Sequence, residues 1–396
     1  MADTFSVISS TSFFGRIRNA LFGFLVGPLL LIAAVWLIFW NESHSVRVIK
    51  SLKEGAANVR EIAAADFDPK NDGQLLHLTG DTATDQTLRD PDFGVESTGI
   101  RLNRAVQVYA WSEKESSTTS TSGSGTKTTK KTYTYEKKWL DSLPKSSKFK
   151  QPEDHENPSE LKYQSKSFPA DKVTLGAYVL DPYLTGKLRD TKSITLDESS
   201  VTLPDGAQLS RNMIYIGADP DTPAVGDLRI TETIVPTGPV SVVAGQGPGN
   251  RLAAFHARAG EDIALIDSGT KSATDMFLAA HSANRTFTWL VRAGGFLMLL
   301  FGFFLLLGPL ATMSSIVPFL GGIFEAGVFL ISLLGAIVIW ALLVAAAWMV
   351  ARPLVGGALL AVALAVLFVA IKHIRAGAAR RAQPVSGAHQ PPPLPA

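Results

Sequence analysis

The stretch FWNESHSVRVIKSLKEG, Phe39 to Gly55, decides the fold class, because an uncharged run stops at Trp40 and charge begins at Glu42. Downstream, Val46, Ile49, Leu52, Ala56, Val59 and Ile62 recur at spacings of three and four, with Arg47, Lys50, Lys53 and Arg60 largely off that stripe. Such spacing predicts an amphipathic helix over 41–65 that docks on whatever domain follows, the rival being a helix lying along lipid headgroups. Gly55 is the expected bend. Upstream, Ala20 to Trp40 gives 21 residues without a charge, long enough to cross a hydrocarbon core as a helix.

Three further runs of this kind lie near the other end: Ala293–Phe324, Ala326–Ala351 and Pro353–Ile371. The first contains GPLATMSSIVPF, Gly308 to Phe319, whose Gly and Pro punctuation predicts a turn between two spans. Four membrane helices are therefore expected, at 20–40, 289–310, 319–350 and 353–371. The first run is too long for a signal h-region and closes on bulky IFWNE, so it reads as a retained anchor.

Arg16 and Arg18 precede the first helix and Lys372, Arg375, Arg380 and Arg381 follow the last. The positive-inside rule then places residues 1–19 and 372–396 in the cytoplasm and the large middle region on the other face. Arg47, Lys50 and Lys53 run against this, but they open a long domain, where the rule is weak.

The middle region, 66–288, is large enough for its own core and contains no cysteine, so packing alone must hold it. Apolar and polar residues alternate in AVQVYAWSE (Ala105–Glu113), KTYTYEKKW (Lys131–Trp139) and DLRITETIVP (Asp227–Pro236). QLLHL (Gln74–Leu78), KSITL (Lys192–Leu196), NMIYIG (Asn212–Gly217), VSVVAG (Val240–Gly245) and EDIALID (Glu261–Asp267) are shorter strand candidates. Turn chemistry at Pro204–Gly206, Ala218–Pro223 and Gly245–Asn250 separates several of them. The fold class is an α+β membrane protein, with one N-terminal and three C-terminal helices flanking a large, mainly β extracytoplasmic domain.

Two segments are low in complexity. ESSTTSTSGSGTKTTKK, Glu115 to Lys131, has too few apolar residues to pack and reads as a flexible hairpin loop. The tail Ala382–Ala396 reads as disordered, with Pro392 to Pro395 a PxxP arrangement.

Chemistry is sparse. Histidines 44, 77, 155, 256, 281, 373 and 389 are scattered without ligand spacing, and no HExxH, GxSxG or Walker element is present. No catalytic, metal or cofactor-binding residue is assigned, and no nucleic-acid partner is expected. ALIDSGTKS, Ala264 to Ser272, resembles the Asp-Ser/Thr-Gly element of aspartic proteases, with Asp267 as the carboxylate and Ser268 to Thr270 as its support. One copy requires a dimer to supply a second Asp; the competing account is a strand ending in a polar turn. The four spans carry no ionisable residue in their interiors, with Glu325 and Arg352 at edges, so they offer a transporter no charged path. A wide oligomeric pore with apolar walls stays open.

WNESHSVRVIKSLKEG (Trp40–Gly55), VQVYAWSE (Val106–Glu113), YTYEKKW (Tyr133–Trp139), HENP (His155–Pro158), VGDLRI (Val225–Ile230) and TWLVRAGGFLMLLFG (Thr288–Gly302) resemble, in this order, motifs of the transmembrane protein 43 family, also called LUMA. ARPL, Ala351 to Leu354, is similar to the break before that family's last helix. The resemblance runs from Arg16 to Ile371. It implies a four-helix membrane protein with a large luminal or periplasmic domain that self-associates and organises protein complexes, with emerin and lamins as partners of eukaryotic members. Ala-rich helices and the lack of cysteine suggest a bacterial homologue in the inner membrane, where lamins do not exist; a eukaryotic member belongs to the endoplasmic reticulum and inner nuclear membrane. The function expected is a membrane scaffold binding other membrane or envelope proteins. The alternatives are a pore or transport subunit and an extracytoplasmic hydrolase using Asp267.

Overall fold

Continuous apolar runs and alternating ones end up in different places, and that difference organises the β-rich part. The computed structural model describes residues 3–11, 13–121, 127–314 and 321–351, with scattered positions from 357 to 372. The chain forms two compact units, Met1–Phe13 with Arg47–Thr286, and Phe14–Val46 with Phe287–Ala396. Two long helices each contribute to both units: α1 (Phe13–Asn58), which follows strand β1 (Asp3–Thr11), and a second within Ala273–Ser314.

In the β unit, β2 (Leu75–Ala83) is followed by two long strands, β3 (Arg101–Thr121) and β4 (Lys127–Leu140). Later come β5 (Met213–Ile216), β6 (Leu228–Val235), β7 (Pro239–Gly247) and β8 (Leu265–Ser268). One sheet runs β1, β4, β3, β6, β5 and then Ala207–Ser210. Its alternation is read out directly: Val106, Val108, Ala110, Ile214, Leu228 and Ile230 pack on one face with Phe93 and Val95.

The other sheet closes on itself. From β7 the pairing passes through Arg251–Ala253, Tyr178–Leu180 and Val173–Leu175 to β2, which pairs back onto β7. Leu76, Leu78, Leu175, Tyr178, Val242 and Leu252 share its core. The opposite faces of β2 and β7 are covered too: Leu75 and Val243 pack with Leu52 of α1 and with Met276 and Phe277. Burial on both faces is why LLHL and VSVVAG are mostly apolar, with His77 and Ser241 the buried polar exceptions, instead of alternating.

The segment Val48–Val59 therefore docks on the β core. Val48, Leu52, Gly55 and Val59 face it, whereas Ala56 is exposed. Full burial of Leu52 alone contributes about 1.5–3 kcal/mol. Glu54 accepts from the backbone N–H groups of Arg258 and Ala259, and Arg47 pairs with Glu261 at 2.9 Å. Gly55 is no bend. A Cβ there would lie 2.5 Å from Ile263 and 3.1 Å from Phe277, so glycine permits close approach. The helix also stops at Asn58, short of 65, and Arg60–Glu61 add a parallel strand to β2.

Two further expectations are corrected. The Ser/Thr-rich segment is not a loop: β3 and β4 stay paired from Val108↔Leu140 to Thr121↔Lys127, and only residues 122–126 of it lie outside the described residues. Backbone ladder bonds need no apolar side chain, so low hydrophobicity did not preclude strands. At the N-terminus, Asp3–Thr11, read from sequence only as part of a tail, form a strand that pairs with Lys127–Tyr135. The β-branched residues Thr4, Val7, Ile8 and Thr11 suit that strand. KSITL shrinks to the two-residue strand Lys192–Ser193, and EDIALID splits into Asp262–Ile263 and β8.

The helical unit contains parts of α1 and α2 (Ala273–Ser314) with α3 (Gly321–Ala351). These are the three helices among the described residues that are long and apolar enough to cross a membrane. Ala34, Ile38, Leu299 and Ala336 make their shared core. Backbones come close at Gly27, where a Cβ would meet the Gly302 carbonyl oxygen at 2.9 Å. The expected fourth span, 353–371, lies largely outside the described residues, as does the proline-rich tail.

Candidate functional site

Three buried polar clusters stand out, one in the helical unit and two in the β unit. In the helical unit, Glu42 and Arg292 flank two apolar runs that are far apart in sequence, and they meet as a bidentate pair. Arg292 Nε donates to Glu42 Oε1 at 2.5 Å and a terminal guanidinium nitrogen donates to Oε2 at 2.7 Å. Both side chains are almost fully buried. The Trp348 indole N–H of α3 also donates to Glu42 Oε2, at 3.1 Å, and the guanidinium lies over the rings of Trp289 and Trp348. Around them Thr288 donates to Ser45, Asn41 Nδ2 donates to the Thr288 carbonyl, and the Trp340 indole donates to the Arg292 carbonyl. One polar network thus ties α1, α2 and α3 together. A paired, hydrogen-bonded charge is what burial tolerates; a lone one is not.

In the β unit, three motifs separated in sequence converge on His155. Its ring stacks on Tyr135 with centroids 3.7 Å apart and meets the edge of Trp111 at 4.6 Å. Its Nδ1 lies 3.0 Å from the Gln151 carbonyl, and Asp3 of β1 lies 3.5 Å from Nε2. The Tyr135 hydroxyl donates to Glu113 at 2.6 Å, and burial, aided by that carboxylate, pushes the phenol up to about 12. Asn157 acts as a surrogate peptide group: its Oδ1 accepts from Trp111 N at 2.8 Å and its Nδ2 donates to Trp111 O at 3.0 Å. This set braces the base of the β3–β4 hairpin.

A third charged group is buried deeper in the same unit. Arg104 bonds both oxygens of Asp90 and also Asp92, at 2.6 to 2.9 Å. Glu232 is directly opposite Arg104 across the β3–β6 pair and is also buried. Burial, then the neighbouring Asp90, pushes its carboxyl up to about 9 against the pull of Arg104, so it keeps its proton at neutral pH.

A family model described as transmembrane protein 43 matches residues 108–353. The chain belongs to the transmembrane protein 43 family. It is 29% identical to Transmembrane protein 43 of Homo sapiens over 363 residues, 87% of this chain and 88% of that protein. The Mus musculus protein is 27% identical over 359 residues, 86% and 88% of the two chains. The Transmembrane protein 43 homolog of Drosophila melanogaster is 28% identical over 345 residues, 85% and 90%. No solved structure matches.

The family match covers Trp111, Glu113, Tyr135, His155, Asn157, Arg292 and Trp348. The motifs that carried the resemblance are thus the ones the fold draws together. Sequence reading assigned none of these residues to a site. The available signal was a single Glu and a single Arg, each one or two positions outside an apolar run.

Asp267 sits at the end of β8, paired with Lys271 at 3.2 Å and partly exposed. A carboxylate beside a cation is the opposite of the proton-sharing pair an aspartic protease needs. Among the other histidines, His77 is buried against the Lys271 carbonyl, His256 pairs with Asp262, and His44 stacks on Trp40. His373 and His389 lie outside the described residues. Among the described residues no three metal-binding side chains converge. A cleft of about 410 Å³ in the β unit lies between 141–145 and 158–165, and a groove of about 440 Å³ in the helical unit is walled by apolar residues such as Leu31, Trp36, Leu299 and Phe303.

Proposed function

We propose that this transmembrane protein 43 family member is a multi-pass membrane scaffold that presents its β unit for assembly of membrane protein complexes, without catalysis of its own. The observation that carries this reading is the pair of unbroken helices, α1 and α2, each contributing residues both to the apolar helical unit and to the β unit. Their apolar parts anchor, while Leu52, Met276 and Phe277 pack into the β unit's core. The buried polar groups serve the same end: Glu42, Arg292 and Trp348 fix helices to one another, and His155 and Asn157 fix the hairpin base.

Crosslinking in the native membrane followed by purification tests it. A reproducible set of co-purifying membrane proteins is expected. Protein that purifies without companions, yet conducts ions in liposomes and loses conductance when the apolar helices are altered, would replace the scaffold with the pore reading. A reporter inserted at Gly123 is expected on the extracytoplasmic face; a cytoplasmic signal inverts the topology.

A further inference from the structure

Where β4, β3 and β6 lie side by side, the sheet buries one face and leaves the other open to solvent. Alternation decides which side chains stand on each. Val106, Val108, Leu228 and Ile230 point into the core, so Gln107, Tyr109, Trp111, Lys137, Trp139 and Arg229 share the outer face. Lys137 and the neighbouring Thr231 are exposed there, and Tyr109, Trp111, Trp139 and Arg229 are half-buried.

These side chains hold one another in place. The Tyr109 and Trp139 rings lie 5.3 Å apart, and the Arg229 guanidinium lies over Trp139 at 4.6 Å. Arg229 Nε donates to Gln107 Oε1 at 2.5 Å, and Gln107 donates to Asp141 at 2.6 Å. The Lys137 ammonium lies 4.6 Å over Trp111. The carboxylates around the patch are engaged: Asp227 accepts from the Tyr215 hydroxyl and from Ala224 N–H, and Glu113 accepts from the Tyr135 hydroxyl and from Lys150 N–H. The cations are not. Among the described residues neither Arg229 nor Lys137 has a carboxylate partner, and both terminal guanidinium nitrogens of Arg229 keep their donors free.

From this arrangement we infer that the outer face of the β4–β3–β6 sheet docks an acidic segment of a partner protein, with Arg229 and Lys137 receiving two of its carboxylates and the Tyr109 and Trp139 rings packing between them. The inference rests on the scaffold reading and adds the partner's chemistry and its place of contact. A guanidinium stacked on a ring, with its Nε already bonded, offers only its outer fork, which matches the two oxygens of a carboxylate. Because the fork is held beforehand, little side-chain freedom is lost on binding. Trp, Tyr and Arg are also the residues that dominate the energetics of protein interfaces. Lys137 and Arg229 stand two strands and four register positions apart, so their Cα atoms are separated by about 16 Å. One small anion does not reach both; an extended segment with acids about five residues apart does.

Full-length protein in phosphatidylcholine nanodiscs is titrated against a fluorescein-labelled peptide of alternating Glu and Ser, and against the same peptide with Gln for Glu. The acidic peptide is expected to bind at least about tenfold more tightly, and the difference should shrink with added salt. Arg229→Gln should weaken it by about tenfold or more, Arg229→Lys should not restore it, and Lys70→Gln, at an exposed lysine elsewhere in the unit, should bind as wild type. Lys137→Gln changes an exposed side chain without touching the Trp139 stack, so its weaker binding checks the site independently of any loss of fold in the arginine variants. Equal binding of the two peptides, wild-type binding by both Arg229→Gln and Lys137→Gln, or an equal loss in Lys70→Gln would each overturn the inference. So would displacement of the peptide by hyaluronan or by phosphatidylglycerol vesicles at a lower concentration of anionic groups than the peptide itself needs. The two failures are distinct: wild-type protein that purifies from the membrane without companions removes the scaffold reading, whereas peptide binding indifferent to Arg229 and Lys137 removes only this surface.

Discussion

Arg292 and Arg104 are both buried, yet they are neutralised differently. Arg292 faces one carboxylate, Glu42, which also accepts from an indole N–H. Arg104 faces Asp90 and Asp92 directly, with Glu232 opposite, so the acids outnumber the base. The first site matches one cation with one carboxylate. In the second, burial and the neighbouring Asp90 push the Glu232 carboxyl up to about 9, which ties the stability of the β unit to pH.

The largest expected effect comes from unbalancing the balanced pair. Arg292→Met leaves Glu42 buried without a cation and should cost about 3–5 kcal/mol, read as lost folded yield and a lower melting temperature in detergent. Glu42→Gln combined with Arg292→Met should recover most of it; equal damage from single and double variants would mean the pair is not acting as a unit. Steric separation of the same helices is expected to be milder. Gly27→Leu drives a side chain into the Gly302 backbone and should cost about 1–3 kcal/mol, whereas Gly308→Leu, with no atom within 4 Å, should be silent.

Glu232→Gln sharpens the comparison from the other side. The folded carboxyl binds its proton more tightly than the unfolded one, so wild-type stability should fall as pH rises from the ordinary carboxylate range to about 9, by up to about 1.4 kcal/mol per pH unit. The glutamine variant should lose that slope, matching wild type in acid and exceeding it in alkali in pH-dependent melts of the full chain. An unchanged slope would mean that Glu232 is ionised in the folded state. The smallest effect belongs to Asp267→Asn, which removes one exposed ion pair and should change stability by no more than about 0.5 kcal/mol. A lost cellular phenotype in that variant at normal abundance would revive the hydrolase reading.

What was legible in the sequence follows from what periodicity measures. It reads side chains, so strands with one buried face, such as Val106 to Ala110 and Leu228 to Ile234, announce themselves, as does the stripe through Leu52. The outer part of the β3–β4 hairpin does not, because Ser116 to Thr121 are held by main-chain bonds that leave no apolar signature. For the same reason β1 carries no periodic apolar signature. The Glu42–Arg292 pair joins residues 250 positions apart, and no local pattern links them. The cluster at His155 was visible only as three separate motifs; that Asn157 turns back onto Trp111 depends on a loop whose path no spacing rule encodes.

The Asn157 amide bonds the Trp111 peptide, the last outward-facing peptide of β3 with a partner among the described residues. A single side chain therefore works as a stop that sets how long an arm the protein extends.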